Sequence, residues 1–300
     1  MNEYVPNLGF NEFEVVEEIK TQACQSNAPW PLERIQKRER EYRQVASIEP
    51  GKGLAYILDT WIDITHPELE GRVFRGPAFN LDLRKEQGHG TFIAGLIGSK
   101  TFGVAKQSIM IEVQVMNGAG VGDTFILIQG LNWVFRNWTA YGKPKAVINL
   151  SLAGPYSNLL NQVVEKIHQA GLPVIAASGN SGIDAKDVSP ASAQIITVAA
   201  SNQQDQWGTF SNYGSHVDII APGVDIKSIW PKGLQAIMSG TSMATAIVSG
   251  AILSGMDLKD LTKNKIQNLP QNTINLFTYL QPKFICLQSQ FLVQNSNLHS

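Results

Sequence analysis

Cysteine is nearly absent: Cys24 and Cys286 are the 2 in 300 residues, which excludes a disulfide framework and a four-thiolate zinc site. Charge is scarce as well. Asp, Glu, Lys and Arg make up 16% of the chain, against about 25% in an average soluble protein. That excludes a disordered chain and a coiled coil, both of which are charge-rich. Neither sign dominates, since 24 Lys and Arg against 25 Asp and Glu leave a net charge of −1. Without a basic excess, nucleic acid is not an expected partner. No apolar run reaches the ~18 residues of a membrane span, so no membrane partner is expected either. The opening segment up to Ala23 has no basic start and no continuous apolar stretch, so no secretion signal is visible there. What the chain does have is a 43% hydrophobic share and 26 glycines, enough for a large core with many tight turns.

Short runs that are nearly all apolar and rich in β-branched residues read as strands buried on both faces. They are Leu54–Asp59, Ile109–Val115, Ala146–Leu150, Val174–Ala177 and Ile195–Ala200. Helical patterns lie between them. Asp123–Trp138 opens on the capping pair Asp123 and Thr124, and Ser157–Ala170 opens on Ser157 and stops before Gly171. Strands alternating with helices predict an α/β fold, a parallel β-sheet with helices on both faces. Such sheets carry their chemistry at the carboxyl ends of the strands. Asp59, Asn149, Ser151 and the Ser178-Gly179-Asn180 run all fall there.

Of the 5 histidines, four read as ordinary. His66 sits in a loop before Pro67, His168 on an amphipathic helix with a surface position expected, His216 in a turn and His299 in a polar tail. His89 differs: Gly88-His89-Gly90-Thr91 delivers it to the start of an apolar helix. Ser242, within Ser239-Gly240-Thr241-Ser242-Met243-Ala244-Thr245-Ala246, likewise opens an apolar helix, Met243–Leu253. A helix N-terminus offers unpaired N–H groups and a positive dipole end, which suits a nucleophile whose reaction creates an oxyanion. Taken singly, Ser242 reads as an N-cap and Asp59 as a strand-end turn residue. Together, hydroxyl, imidazole and carboxylate make an activated nucleophile. The order Asp59, His89, Ser242 is that of subtilisin rather than of α/β-hydrolases, and Ala244 breaks the G-x-S-x-G pattern of the latter.

At these residues the sequence resembles the subtilisin-like serine proteases (subtilases), specifically the fungal proteinase K-like branch. The motifs are Ile57-Leu58-Asp59-Thr60 with His66-Pro67-Glu68-Leu69-Glu70-Gly71-Arg72, Gly88-His89-Gly90-Thr91 with Ala94-Gly95, and Gly240-Thr241-Ser242-Met243-Ala244-Thr245. The resemblance spreads from Gln25 to about Gln281 and includes Asn27-Ala28-Pro29-Trp30, similar to the start of a mature enzyme of this branch.

The resemblance implies a subtilisin-like three-layer fold and a serine endopeptidase acting on polypeptides as a monomer. Ser242 would be the nucleophile, His89 the base, Asp59 its partner and Asn180 an oxyanion donor alongside the Ser242 N–H. Gly120-Val121-Gly122 and Ser151-Leu152-Ala153 would clasp the substrate backbone from opposite sides. No cofactor is expected for catalysis. A structural calcium ion is implied at Asp218, with carbonyls of Ala193 and Ile195. The family also implies secretion.

Three residues depart from the pattern. Trp61 replaces the glycine after Asp-Thr, Phe92 the histidine after Gly-His-Gly-Thr, and Ala246 the proline after Met-Ala-Thr. The expected organisation is a 1–24 N-terminal extension too short for a complete propeptide, a 25–282 peptidase domain and a 283–300 polar tail. Two other readings stay open. Trp61 would motivate a catalytically impaired subtilase fold that binds peptides. Gly118-Ala119-Gly120-Val121-Gly122 after a strand would suit a dinucleotide, although Asp123 takes the place of the third fingerprint glycine. Asn137-Trp138-Thr139 is a glycosylation sequon.

Overall fold

The structure is a computed structural model that describes residues 14–16, 29–32, 53–79, 88–204 and 206–255. Both cysteines, His299, most of the N-terminal extension and the polar tail lie outside the described residues.

The runs of apolar, β-branched residues form the sheet expected of them. Seven strands lie side by side: β2 (Leu54–Asp59), β3 (Val73–Ala78), β4 (Ile109–Gln114), β5 (Ala146–Leu150), β7 (Val174–Ala177), β9 (Ile196–Ser201) and β10 (Ile219–Pro222). Their order is β10-β9-β7-β5-β2-β4-β3, with every pairing parallel. The short pair β6 (Gly154–Pro155) and β8 (Val188–Ser189) is antiparallel. A second small sheet joins β11 (Ile226–Trp230), β12 (Leu234–Met238) and β1 (Glu14–Val16), all antiparallel.

Four α-helices cover the large sheet: α1 (His89–Gly98), α2 (Thr124–Ala140), α3 (Asn158–Gln169) and α4 (Thr241–Leu253). One core lies between the sheet and α1 with α4, the other between the sheet and α2 with α3. Every residue of α4 is buried, which explains why its sequence is small and apolar all round rather than striped. By contrast α3 shows one apolar face, Leu160, Val164 and Ile167. The capping residues act as read: Asp123 Oδ1 accepts from Ile126 N at 2.9 Å and Ser157 Oγ from Leu160 N at 3.4 Å.

One expectation changes. His168 is half-buried rather than at the surface; its Nδ1 accepts from Val174 N at 3.1 Å, and burial lowers its pKa. It therefore ties α3 to β7 as a neutral ring. The Asn137 sequon lies within α2, where Asn137 Oδ1 accepts from the Tyr56 hydroxyl at 2.7 Å. Burial, then Tyr141, pushes Tyr56 up to about 12, so it stays a donor.

The topology positions the site. β2 is flanked by β4 and β5, so the chain reverses its direction of winding around β2. The crevice at such a switch point, outside the carboxyl ends, is where open α/β sheets bind ligands. Asp59 is the last residue of β2.

Candidate active site

Asp59 is fully buried, and its Oδ1 accepts from Thr60 N at 2.7 Å and meets His89 Nδ1 at 2.8 Å. A carboxylate can only accept, so the imidazole proton sits on Nδ1 and Nε2 is left as the basic nitrogen. His89 is the first residue of α1. Three further contacts tie the loop after β2 to that helix start. Gly90 N donates to Thr60 Oγ1 at 2.9 Å and Asp63 N to Thr91 Oγ1 at 2.9 Å. A Cβ on Gly90 would stand 2.5 Å from Thr60 O, so only glycine permits this approach. Burial works to raise the Asp63 carboxyl, but the Thr65 hydroxyl and the Lys232 and Thr65 amides outweigh it and hold it below its usual range.

Ser242 is the second residue of α4, after the N-cap Gly240, and is 7% exposed. Its Oγ donates to Ser151 O at 3.2 Å, and Ser151 Oγ donates back to Ser242 O at 2.8 Å. Asn149 Nδ2 donates to Ser151 Oγ at 3.0 Å, and Ser249 Oγ to Asn149 Oδ1 at 2.9 Å. This buried, mutually satisfied network stitches the end of β5 to the first turns of α4 and fixes where Ser242 stands.

Asn180 follows β7. Its Oδ1 accepts from both Thr241 N and Thr241 Oγ1 at 2.9 Å. A backbone N–H only donates, so the side-chain oxygen must face Thr241 and the amide nitrogen must face away from it. A Cβ on Gly240 would lie 3.3 Å from Asn180 Nδ2, which puts that nitrogen beside the turn leading to Ser242. Asn212 holds the loop that carries it: Nδ2 donates to Ser178 O at 2.8 Å, and Oδ1 accepts from Ser181 N at 3.0 Å and Ile183 N at 3.1 Å. Neither Thr241 nor Asn212 stood out in the sequence. Thr241 lay inside a quoted motif as a neighbour of the nucleophile. Nothing in Ser211-Asn212-Tyr213 signals a loop brace 30 residues from its target.

Three of the six expected substrate residues, Gly122, Leu152 and Ala153, line one pocket; Gly120, Val121 and Ser151 are not among its lining residues. Met116 and Leu127 also line it. Val121 closes a turn that begins at Asn117, since Asn117 Oδ1 accepts from Val121 N at 3.0 Å and Val121 O accepts from Asn117 N at 2.8 Å. Both peptide groups of Val121 are thus engaged from within.

Trp61 does not disturb the Asp59–His89 contact. Its ring lies beneath the Arg75 guanidinium, 5.8 Å from Cζ to the ring centroid, on the β3 side. Phe92 is a fully buried member of the core between the sheet and α1, and Ala246 is buried in α4.

The implied calcium position is occupied by protein contacts. Asp218 Oδ2 accepts from Thr197 N at 2.9 Å, and Ala193 O from Ile195 N at 3.0 Å. A calcium ion takes 6–8 oxygens, carbonyls and waters included; this set offers the Asp218 carboxylate and the Ala193 and Ile195 carbonyls, and an oxygen that accepts one hydrogen bond keeps a lone pair. Among the described residues, no group of three or more His, Cys, Asp or Glu gathers to hold a metal ion.

A buried carboxylate–imidazole pair stands at the switch point and a serine at the N-terminus of α4. The comparisons with known proteins give the class. The subtilase family model matches residues 56–289. Proteinase R of Parengyodontium album is 36% identical over 292 residues, covering 91% of this chain and 75% of that protein. Subtilisin-like protease 7 of Trichophyton violaceum is 41% identical over 232 residues, covering 75% of this chain but 58% of that protein. A solved cold-adapted subtilisin-like serine proteinase superposes with a TM-score of 0.70 at 36% identity, over 80% of this chain and 90% of its own. The chain belongs to the subtilase family of serine endopeptidases, whose catalysis uses no cofactor.

Proposed function

We propose that the chain hydrolyses polypeptides through an acyl-enzyme formed on Ser242, with His89 as general base and acid and Asp59 as its partner. The observation that carries this reading is the buried 2.8 Å contact between His89 Nδ1 and Asp59 Oδ1. It selects the tautomer that leaves Nε2 to take a proton.

In this mechanism Ser242 Oγ attacks the scissile carbonyl carbon and its proton passes to His89 Nε2. The carbonyl electron pair becomes an oxyanion, stabilised by the Ser242 N–H and Asn180 Nδ2. His89 then protonates the leaving amine as the C–N bond breaks, and water repeats the sequence in reverse to free the acid and restore Ser242. Asp59 stays ionised throughout and stabilises the imidazolium. Substrate would lie extended between Gly120 or Gly122 and Ser151-Leu152-Ala153, its backbone adding a strand on each side. Val121, whose peptide groups are bonded to Asn117, would shape the turn instead.

The orientation of Trp61 supports an active enzyme over a peptide-binding pseudo-enzyme. A fluorophosphonate probe is expected to label Ser242 in the purified chain, as read by mass spectrometry of the modified peptide. Changing His89 to Ala should abolish the label. A folded wild-type chain that takes up no probe would sink the reading.

For Asp218 the favoured role is structural and metal-free, setting the register between β9 and β10. A site filled at about a thousand times its Kd would add ~4 kcal/mol, or roughly 8–16 °C in Tm for a domain of this size. Melting in EDTA is expected to match melting in millimolar calcium within about 2 °C. A drop of ~8 °C or more would restore the calcium assignment.

A further inference from the structure

One carboxylate in the large sheet has no part in the mechanism above. Glu112 lies in the middle of β4 with its side chain 4% exposed. It pairs in register with Ile57 of β2 on one side and Arg75 of β3 on the other. A charge is costly in such a strand unless it is paired and hydrogen-bonded. Glu112 is both. Its Oε2 takes the Arg75 Nη1 at 2.7 Å, and its Oε1 accepts from Ile62 N at 2.8 Å.

Ile62 ends the short loop Thr60-Trp61-Ile62 that immediately follows Asp59. The loop is held from two sides. Glu112 binds its far end, and Arg75, anchored on Glu112, lies over the Trp61 ring. On the opposite side its carbonyls press against the helix that carries His89: a Cβ on Gly90 would stand 2.5 Å from Thr60 O and 3.0 Å from Trp61 O. At its near end, Thr60 N donates to the same Asp59 Oδ1 that meets His89, and Thr60 Oγ1 accepts from Gly90 N.

We propose that Glu112 is a positioning residue for the catalytic pair: clamped by Arg75, its carboxylate fixes the Thr60–Ile62 loop and, through it, the alignment of Asp59 with His89. This rests on the triad reading above. On this account Trp61 and Glu112 act as one device, and the large ring after Asp-Thr is a ballast for the loop.

The test needs readouts that a merely structural role would leave unmoved. Glu112→Ala removes the acceptor of Ile62 N–H. Glu112→Gln keeps an oxygen for it, and the half-exposed Arg75 side chain can turn to solvent. For Glu112→Ala, kcat on a chromogenic peptide is expected to fall about 10–100-fold with KM changed less than about threefold, on the scale of small misplacements in positioned sites. The acid limb of kcat/KM should move to lower pH, because a loosened Asp59 stabilises the His89 imidazolium less. The downfield Nδ1 proton resonance of His89, read without substrate, should broaden or disappear. Glu112→Gln, which keeps an acceptor for Ile62 N but gives up the Arg75 clamp, should fall between Glu112→Ala and wild type in all three.

A Glu112→Ala variant that melts lower but keeps kcat, pH profile and resonance overturns the proposal. If that variant does not fold, Glu112→Asp decides. It keeps the charge for Arg75 but draws the carboxylate back from Ile62, so a kcat within twofold of wild type and an unmoved resonance overturn the proposal equally. A wild type with the resonance but no turnover would fail the triad's catalysis, and the resonance alone would then decide Glu112.

Discussion

Ser242→Ala is expected to lower kcat by roughly 10⁶-fold, about 8 kcal/mol at 1.36 kcal/mol per factor of ten. That scale was measured on subtilisin, a member of the same family. The hydroxyl has no substitute: Thr241 Oγ1 is committed to Asn180 and Ser151 Oγ to Ser242 O. His89→Ala should cost about as much, because an unactivated serine is a poor nucleophile, and the double variant should lose little more than either single one. Asp59→Asn should cost about 10⁴-fold with the fold intact. Thr60 N and His89 Nδ1 share Asp59 Oδ1: an Asn oxygen at that place keeps the tautomer but not the charge that stabilises the imidazolium, and an Asn amide at that place favours the wrong tautomer. KM should hold in all three, since none of these groups is expected to bind the ground state more than the transition state. Steady-state kinetics on one peptide substrate, with thermal melts confirming folding, checks the series. Additive losses in the double variant would mean that Ser242 and His89 do not work as a unit.

The sheet's core was legible because strands buried on both faces must be continuously apolar. All five expected strands are present, within a residue or two of their bounds. β10 (Ile219–Pro222) obeys that rule and was missed all the same, since it is four residues long and ends on a proline; other missed strands break it for physical reasons. β3 is an edge strand with mostly exposed side chains and a proline, Val73 to Ala78. β11 and β12 form a separate hairpin whose partner is not the main sheet. Asp59, His89 and Ser242, the residues proposed as the triad, could be singled out because each stands where an apolar run meets a turn, and their chain order distinguishes between catalytic families. The partners that orient them could not. Asn212 acts on a loop 30 residues earlier, and Ser249 on Asn149 a hundred residues away. Contacts of that reach leave no local pattern. Glu112 did leave one, a single charge inside Ile109–Val115, and it passed as an imperfection of a buried strand. The isolated charge in an apolar strand was the readable sign of a polar partner, since without one the strand would not tolerate it.

The second large effect falls on Asn180, and it separates the two halves of the chemistry. Asn180→Ala is expected to lower kcat by about 10²–10³-fold, or roughly 2.7–4 kcal/mol, with KM nearly unchanged, the scale also measured for an oxyanion-hole amide in subtilisin. Its Oδ1 is locked by two bonds from Thr241, so the amide nitrogen is aimed before substrate arrives and costs no reorganisation in the transition state. Removing it leaves the Ser242 N–H as the remaining donor at the head of α4, and the proton transfers through His89 are untouched. The pH profile should therefore keep its acid limb, whereas the Glu112 variants should move theirs. Asn180→Asp is the sharper case. A carboxylate would still accept both Thr241 bonds and hold its place, but it would set a negative charge beside the developing oxyanion. That variant should fall below Asn180→Ala in kcat although it is nearly the same shape as the native side chain. Comparing kcat for the two at pH 8 distinguishes a donor from a spacer: equal losses would make Asn180 a loop-holding residue, and the oxyanion would then depend on the Ser242 N–H and the dipole of α4.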